Sequence, residues 1–172
     1  MMKTRIATIV ALAMLAASEA AASHVNPLVA PTAPWAAHIR EVDQALASKN
    51  LNAAKRAWHD AYLAAVGSRL WQGMVEVGDA SLRIGAAAGF PEAAEATARR
   101  AYLAGFSRAR QLASVDGVLR AAVAFAALGD RDVAEHYLRI AESLAKEAHS
   151  AKAWSRVSAF KAQLAAMKWE ER

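Results

Sequence analysis

The side chains that most often carry out chemistry are sparse in this sequence, and their spacing matches no metal-binding or catalytic motif. Cysteine is absent, which excludes thiol nucleophiles, disulfides and cysteine-bound metals. None of the histidines lies in an HExxH pair, and no Gly-x-Ser-x-Gly motif or phosphate-binding glycine loop occurs. His59 and Asp60 are adjacent, but neighbouring residues on a helix do not face each other. We therefore expect no catalytic residue, metal ligand or cofactor, and predict a protein that is not an enzyme.

Arginines form the densest basic patch of the sequence and favour binding over catalysis. Arg99, Arg100, Arg108 and Arg110 lie close together in the chain. Such a basic patch is a candidate docking point for an acidic partner or an anionic lipid head group, and the alternative is a solvated helix face. Acidic residues are dispersed among the basic ones in a chain of net charge +5. Aromatic residues are also thinly interleaved here, so we expect no nucleic-acid binding.

The elements that position these residues are expected to be helices. Of the 172 residues, 56% are hydrophobic and many of these are alanine, the strongest helix former. No long alternation of Val, Ile and Thr indicates a strand. The composition therefore predicts an all-α fold.

The N-terminal segment has the layout of a secretory signal peptide. Lys3 and Arg5 precede an uncharged, mostly apolar run, and small residues end at Ala22. We expect residues 1–22 to be a cleaved signal peptide and the protein to be secreted, most simply into a bacterial periplasm; an uncleaved anchor is the alternative. No second segment is apolar enough to span, so we expect no stable membrane insertion after cleavage. Residues 23–34 contain three prolines and are predicted to form an extended leader.

A repeat of 40 residues organises the rest of the chain. The string Ala-Tyr-Leu-Ala occurs at residues 61–64 and again at 101–104. The positions that keep this spacing are Ala54, Ala94 and Ala134, then Ala61, Ala101 and Ala141, and the turn positions Lys49, Gly89 and Gly129. Such a period is typical of stacked supersecondary units. It predicts two-helix hairpins over residues 35–74, 75–114 and 115–154.

The alanines in register are expected to lie where helices meet, because small side chains let two helix axes approach closely. Larger side chains, among them Leu63, Leu103 and Leu138, are expected to fill the space between units. Polar residues in or next to the turns are predicted to cap the helices that follow, by accepting backbone N–H groups. These caps are Asn50, Asp130 and Ser150.

The third unit resembles a tetratricopeptide repeat. The matching residues are Ala122, Phe125, Gly129, Ala134, Leu138 and Ala141. Val118 stands where that pattern favours Trp, Lys146 replaces the closing Pro, and the period is 40 rather than about 34. HEAT-like helical pairs, which are about 40–47 residues long, are the alternative. The resemblance implies an α-α superhelix, a short solenoid of helical hairpins.

The resemblance also implies where a partner binds. Tetratricopeptide arrays hold an extended peptide or a helix on the concave face, which the first helix of each unit lines. In this chain that face comprises Arg40, Asp43, Asp79, Arg83, Asp116, Arg120 and Val123. Both charge signs occur at i,i+3 or i,i+4 spacing, so the alternative is a polar face whose charges pair with each other along the helix.

A final helix is expected to cap the array. Ser150 precedes an apolar stripe that runs from Ala153 to Met167, so residues 155–172 hold the C-terminal part of this capping helix and the tail. A homodimer through this helix is left open. The sequence thus predicts an exported, non-enzymatic adaptor or assembly factor that binds another protein. The rival interpretation is a small-ligand-binding protein or an accessory subunit of a periplasmic enzyme complex, with tryptophans near a pocket.

Overall fold

The computed structural model describes residues 33–167 and residue 169, and this part of the chain is all-α. Its helices are α1 (Ala36–Ala47), α2 (Leu51–Ser68), α3 (Trp71–Ala88), α4 (Pro91–Gln111), α5 (Val115–Ala127), α6 (Arg131–Glu147) and α7 (Ala151–Ala166). No strand occurs among these residues, which confirms the predicted all-α array of helical hairpins. The predicted signal peptide and residues 23–32 of the predicted leader lie outside the described residues.

The helices stack in chain order, and the two sides of the stack differ in how closely the helices on each side approach one another. Each helix packs against the next one, and the odd-numbered helices also pack on each other, α1 on α3, α3 on α5 and α5 on α7. In the described part of the chain, the backbones of the even-numbered helices α2, α4 and α6 lie farther apart, with no Cα–Cα distance of 8 Å or less, and only side chains bridge them, as where Phe106 of α4 stacks on Tyr137 of α6. The odd-numbered helices therefore form the inner side of the curve. We call their exposed surface the odd-helix face.

The alanines of the repeat lie in the helix interfaces, as predicted. Ala54, Ala61, Ala94, Ala101, Ala134 and Ala141 are all buried. Leu138 is buried too, but Leu63 and Leu103 are 54% and 55% exposed, so the prediction that they fill the space between units was wrong. They lie on the outer sides of α2 and α4. Because the backbones of the even-numbered helices lie far apart, those outer sides face solvent.

Helices α3 and α4 pack so closely that two positions of α3 have no room for a side chain. A Cβ added at Gly78 would lie 2.4 Å from Cε1 of Tyr102, and one added at Gly85 would lie 2.1 Å from the Cβ of Ala94. Tyr102 is 1% exposed and meets the ring of Phe125 edge-on, with the ring centroids 6.0 Å apart. These contacts join α3, α4 and α5 in the main core.

Each connection between helices contains one residue in the left-handed conformation. These residues are Lys49, Arg69, Gly89, Ala113, Gly129 and His149. The three turn positions of the 40-residue repeat are among them. Asn50 and Ser150 each accept a backbone N–H three residues on, at 3.0 and 3.2 Å, which confirms both caps. Asp130 makes no such cap, because its carboxylate accepts hydrogen bonds from Arg99 instead; that prediction was wrong.

The helix bounds place two of the predicted unit borders inside helices. The border between Met74 and Val75 falls within α3, because the turn at Arg69 ends α2 earlier than a strict 40-residue spacing requires. The border after Trp154 falls within α7. The third predicted unit starts at the first residue of α5.

Candidate interaction surfaces

Three ion pairs connect successive odd-numbered helices along the odd-helix face. They are Asp43–Arg83, Asp79–Arg120 and Asp116–Arg156. In the first pair, Nε of Arg83 lies 2.9 Å from Oδ1 of Asp43. The partners are 40 or 41 residues apart in sequence, which is the repeat length, so the same bond recurs at each step of the stack. Five of the residues predicted to receive a partner thus form ion pairs between neighbouring helices.

Asp79 is bonded from two sides. Oη of Tyr102, on α4, donates to Oδ1 of Asp79 at 2.8 Å, and Arg120, on α5, donates to Oδ2. Burial raises the pKa of the Tyr102 phenol, and the charge of the Asp79 carboxylate raises it further. Tyr102 therefore stays protonated and donates this hydrogen bond at neutral pH. One carboxylate joins α3, α4 and α5.

The two remaining predicted residues of this face lie far apart in the stack. Arg40 is exposed on α1, whereas Val123 is half-buried on α5. Val123 lines a cavity of about 400 Å³ between α5 and α7, together with Asp116, Arg120 and Phe160. The structure therefore brings three of the seven predicted residues to one cavity and leaves the other four on α1 and α3.

The four arginines of the predicted basic patch all lie on α4 but have different roles. Nε of Arg99 donates to Oδ2 of Asp130 at 2.7 Å, and its Nη1 donates to Glu95 at 3.2 Å. The hydrogen bond to Asp130 is the main cause that raises the pKa of Arg99. Arg99 thereby ties α4 to the turn before α6. Arg100 and Arg110 are exposed.

Arg108 connects α4 to the C-terminal end of α2. Its guanidinium donates to the carbonyl oxygens of Ala65 at 2.9 Å, Leu70 at 3.1 Å and Val66 at 3.4 Å. Carbonyls at the end of a helix lack partners within the helix, and a cation satisfies them well. Burial lowers the pKa of Arg108. Arg99 and Arg108 are thus engaged inside the fold, and Arg100 and Arg110 are the exposed members of the predicted patch.

A groove runs between α2 and α4, with α3 beneath it. It consists of two adjacent cavities of about 360 and 270 Å³, and Trp58 of α2 and Thr97 of α4 line both. From the first cavity to the second, the lining residues of α2 and of α4 rise in number, whereas those of α3 fall. Helices α2 and α4 therefore run parallel, and α3 runs antiparallel to both. We call this feature the even-helix groove.

The groove stays open because one of its walls is built from small side chains. On α4 these are Ala93, Ala94, Thr97, Ala101 and Ala104. The opposite wall on α2 carries the rings of Trp58 and Tyr62, which stack with their centroids 5.7 Å apart. Nε1 of Trp58 donates to the carbonyl oxygen of Val77 at 2.9 Å, which fixes the indole ring and satisfies its polar atom. The groove therefore presents rigid aromatic surface opposite a shallow alanine wall.

The edge of the groove exposes apolar side chains, and both charged residues in its lining are basic. Phe90, which lines the larger cavity where α4 begins, is 70% exposed. The charged residues are Lys55 in the first cavity and Arg100 in the second. Of the residues predicted from the sequence to bind a partner, Arg100 alone lines this groove. Its signal in the sequence is the i,i+4 pair of Trp58 and Tyr62 together with the alanines of α4.

The described residues contain no group of three or more His, Asp or Glu side chains placed to hold a metal ion. None of the described helices is both long enough and apolar enough to cross a membrane. No family model, curated protein or solved structure matches this chain, so the tetratricopeptide resemblance stays a prediction from its residues.

Proposed function

We propose that this protein is an exported, non-enzymatic interaction module that holds an extended peptide or a helix of another protein. The observation that carries the proposal is the even-helix groove, an apolar trough with aromatic side chains at its edge. Contiguous apolar surface on a folded protein commonly marks a binding site. Both walls are helices that pack firmly on α3. Binding therefore requires little ordering of the groove, which preserves affinity.

The length of the groove fits a short segment of chain. Its α4 wall runs from Ala93 to Ala104, which is about 16 Å at a rise of 1.5 Å per residue. That distance corresponds to about three turns of helix, or about five residues of extended chain at 3.3 Å each. Amphipathic helices and extended peptides are the two forms in which grooves commonly bind other proteins.

The odd-helix face is a second candidate surface, at the cavity between α5 and α7. A partner there meets Asp116 and Arg120, which already take part in ion pairs with Arg156 and Asp79. It must compete with those bonds. The even-helix groove has no such competition, so we assign it the main role.

Site-specific photo-crosslinking in intact cells tests this proposal. A crosslinking residue at Thr97 reports on the groove, one at Val123 reports on the odd-helix face, and one at the exposed Ser107 is the control on α4 outside both cavities. We expect a discrete protein adduct at Thr97 that the additional substitution Ala93→Trp removes. Adducts at Thr97 and Val123 no stronger than at Ser107 would overturn the proposal.

Export is a separate part of the proposal and has its own test. The basic residues, apolar run and small residues that end at Ala22 support cleavage and transport. N-terminal sequencing of protein recovered from the periplasmic fraction is expected to begin at Ser23. Mature protein that keeps Met1 and stays in the cytoplasm would contradict export and leave the binding proposal to stand alone.

The small-ligand interpretation is favoured by one observation, the larger cavity of the groove. Its volume of about 360 Å³ and its mostly apolar lining are typical of sites for small molecules. Titration with small apolar molecules and with peptides separates the two functions, because Trp58 lines the cavity and its fluorescence reports occupancy. Saturable binding of a small molecule without any binding of peptides favours the ligand-binding or accessory role.

A further inference from the structure

We infer that the even-helix groove takes an apolar segment that also carries acidic side chains. The inference rests on the proposed function and adds the chemistry of the partner. The apolar lining of the groove favours apolar side chains of the partner, and the two basic residues in that lining favour acidic side chains of the partner.

Lys55 and Arg100 place positive charge on opposite walls of the groove. Lys55 precedes Trp58 by one turn of α2, and Arg100 follows Thr97 by one turn of α4. Because Trp58 and Thr97 line both cavities, they lie at the same level along the groove. The two cations are therefore separated by about six residues of rise, or about 9 Å, along the groove axis. An occupant that lies along the groove passes between them.

These cations have no acidic partner in the described part of the chain, in contrast to three arginines elsewhere in the fold. Arg83, Arg99 and Arg120 each form an ion pair with an Asp or Glu of the protein. Lys55 and Arg100 take part in none of the ion pairs among the described residues. Arg100 donates only a hydrogen bond to the hydroxyl of Thr97, at 3.3 Å. No acidic residue lines either cavity.

The consequence is a site whose charge complements an acidic segment. Apolar side chains of the occupant replace water against Trp58, Tyr62 and Phe90, and its carboxylates reach the cations on either wall. Each partly exposed charge pair contributes modestly, so two pairs together give a preference of about tenfold for an acidic over a neutral peptide. Basic residues at the same positions of the occupant are repelled.

Isothermal titration calorimetry of the purified full chain with three synthetic peptides tests the inference. The peptides share one apolar sequence and differ only in flanking residues, which are Glu, Gln or Lys. We expect the Glu peptide to bind about tenfold more tightly than the Gln peptide and the Lys peptide to bind most weakly. In the Lys55→Gln, Arg100→Gln double variant, the Glu and Gln peptides should bind equally.

Two matched controls locate the effect in the groove. The Arg56→Gln, Arg110→Gln double variant removes the same net charge from exposed residues that do not line the groove, and it should keep the tenfold preference. Ala93→Trp should abolish binding of every peptide by filling the larger cavity. Ala96→Trp, at an exposed alanine of α4 that lines neither cavity, should not.

The outcomes separate this inference from the proposed function. Equal binding of all three peptides, blocked by Ala93→Trp, overturns the acidic chemistry and leaves the groove as an interaction site. A preference for Glu that survives in the Lys55→Gln, Arg100→Gln variant places the acidic contact elsewhere and also overturns the inference. No peptide binding, combined with a concentration-dependent dimer that Ala93→Trp dissociates in sedimentation measurements, makes a second copy of the chain the occupant. Absence of both binding and self-association overturns the inference, while crosslinking at Thr97 still decides the function.

Discussion

The odd-helix face and the even-helix groove are built from the same repeat but differ in what they leave unpaired. On the odd-helix face, Asp and Arg side chains of successive helices bond to each other. In the groove, the rings of Tyr62 and Phe90 are partly exposed, and two cations have no acidic partner among the described residues. The ion pairs of the odd-helix face join successive odd-numbered helices of the stack. The even-helix groove leaves its cations without acidic partners among the described residues, and we propose that a partner binds there.

Curvature accounts for this difference. Odd-numbered helices touch their next odd-numbered neighbours, so long polar side chains reach across each junction. The backbones of the even-numbered helices lie farther apart in the described chain, and a trough remains between α2 and α4. In this array, the side with the closer helix spacing therefore pairs its own charges, and the side with the wider spacing leaves an open groove, where we propose that a partner binds.

The largest effect should come from forcing α3 away from α4, because α3 belongs to both surfaces. In the variant Gly78→Ala, the new Cβ would lie 2.4 Å from the Tyr102 ring, and Tyr102 is almost fully buried. The Tyr102 ring, and with it the α4 backbone, must shift to make room. We expect a loss of about 3 kcal/mol in the free energy of unfolding, at the upper end for overpacking, measured by urea denaturation.

Gly67→Ala is the matched control for this prediction. Gly67 lies in α2 with no atom within 4 Å of an added Cβ. Alanine is the better helix former there, so stability should stay the same or rise by up to about 1 kcal/mol. If Gly78→Ala costs no more than Gly67→Ala, the two surfaces do not share a rigid helix, and the contrast between them loses its structural basis.

The second-largest effect on stability should come from the ion pairs of the odd-helix face, and it tests whether these pairs stabilise the fold. Asp79 accepts hydrogen bonds from Tyr102 and Arg120, whereas Asp43 bonds only to Arg83 and is more exposed. Asp79→Ala should lower the free energy of unfolding by about 2 kcal/mol, because it leaves the Tyr102 hydroxyl without a partner. Asp43→Ala should cost less than about 1 kcal/mol. Thermal denaturation of both variants checks this order.

The same two variants also probe the role of the surface. Neither should reduce crosslinking at Thr97 in the groove. If Asp79→Ala leaves stability unchanged but removes a protein adduct at Val123, the odd-helix face binds the partner and the assignment of the two surfaces must be exchanged.

Much of the fold was predictable because its signals are local and periodic. Alanines at a constant spacing marked the helix interfaces, and Lys49, Gly89 and Gly129 marked three turns that adopt the left-handed conformation. The border between the first two units was less predictable. Its turn, at Arg69, departs from the 40-residue spacing, and the nearby Gly67 lies within α2 and not at the left-handed position.

The interaction surfaces were harder to predict because they depend on side-chain partners distant in sequence. Asp130 has the residue type and position of a helix cap, but Arg99 of another helix binds its carboxylate. Leu63 and Leu103 looked like core residues by hydrophobicity, yet the wide spacing of the even-numbered helices leaves them exposed. Ion pairs such as Asp43–Arg83 could have been predicted from the sequence, because the separation of the two residues equals the repeat length.

A smaller effect should follow from loosening one end of the groove. Arg108 bonds carbonyls at the end of α2 and so fixes the distance between α2 and α4. Arg108→Ala should lower the free energy of unfolding by about 1 kcal/mol and weaken peptide binding at the groove. Arg110→Ala, at an exposed residue of the same helix, should change neither quantity. Equal effects of the two variants would mean that the groove does not depend on this connection.

The smallest effect is a dependence of stability on pH that arises where the two surfaces meet. Burial and the Asp79 carboxylate raise the pKa of Tyr102 above its unfolded value of about 10. Below pH ~10 both states keep the proton, so the contribution of this group is fully present. As the pH rises further, the unfolded phenol ionises first and stability falls, by about 0.8 kcal/mol at pH ~10.5.

Urea denaturation of the wild type and of Tyr102→Phe across this pH range isolates the contribution of Tyr102. Burial also raises the pKa of Tyr137, but both proteins carry that residue, so its effect cancels in the comparison. The wild type should lose about 0.8 kcal/mol more than Tyr102→Phe between pH ~8 and pH ~10.5. Parallel pH profiles would mean that Tyr102 ionises equally well in the folded protein. In that case the Tyr102–Asp79 bond does not join α4 to the odd-helix face, and the two surfaces are mechanically separate.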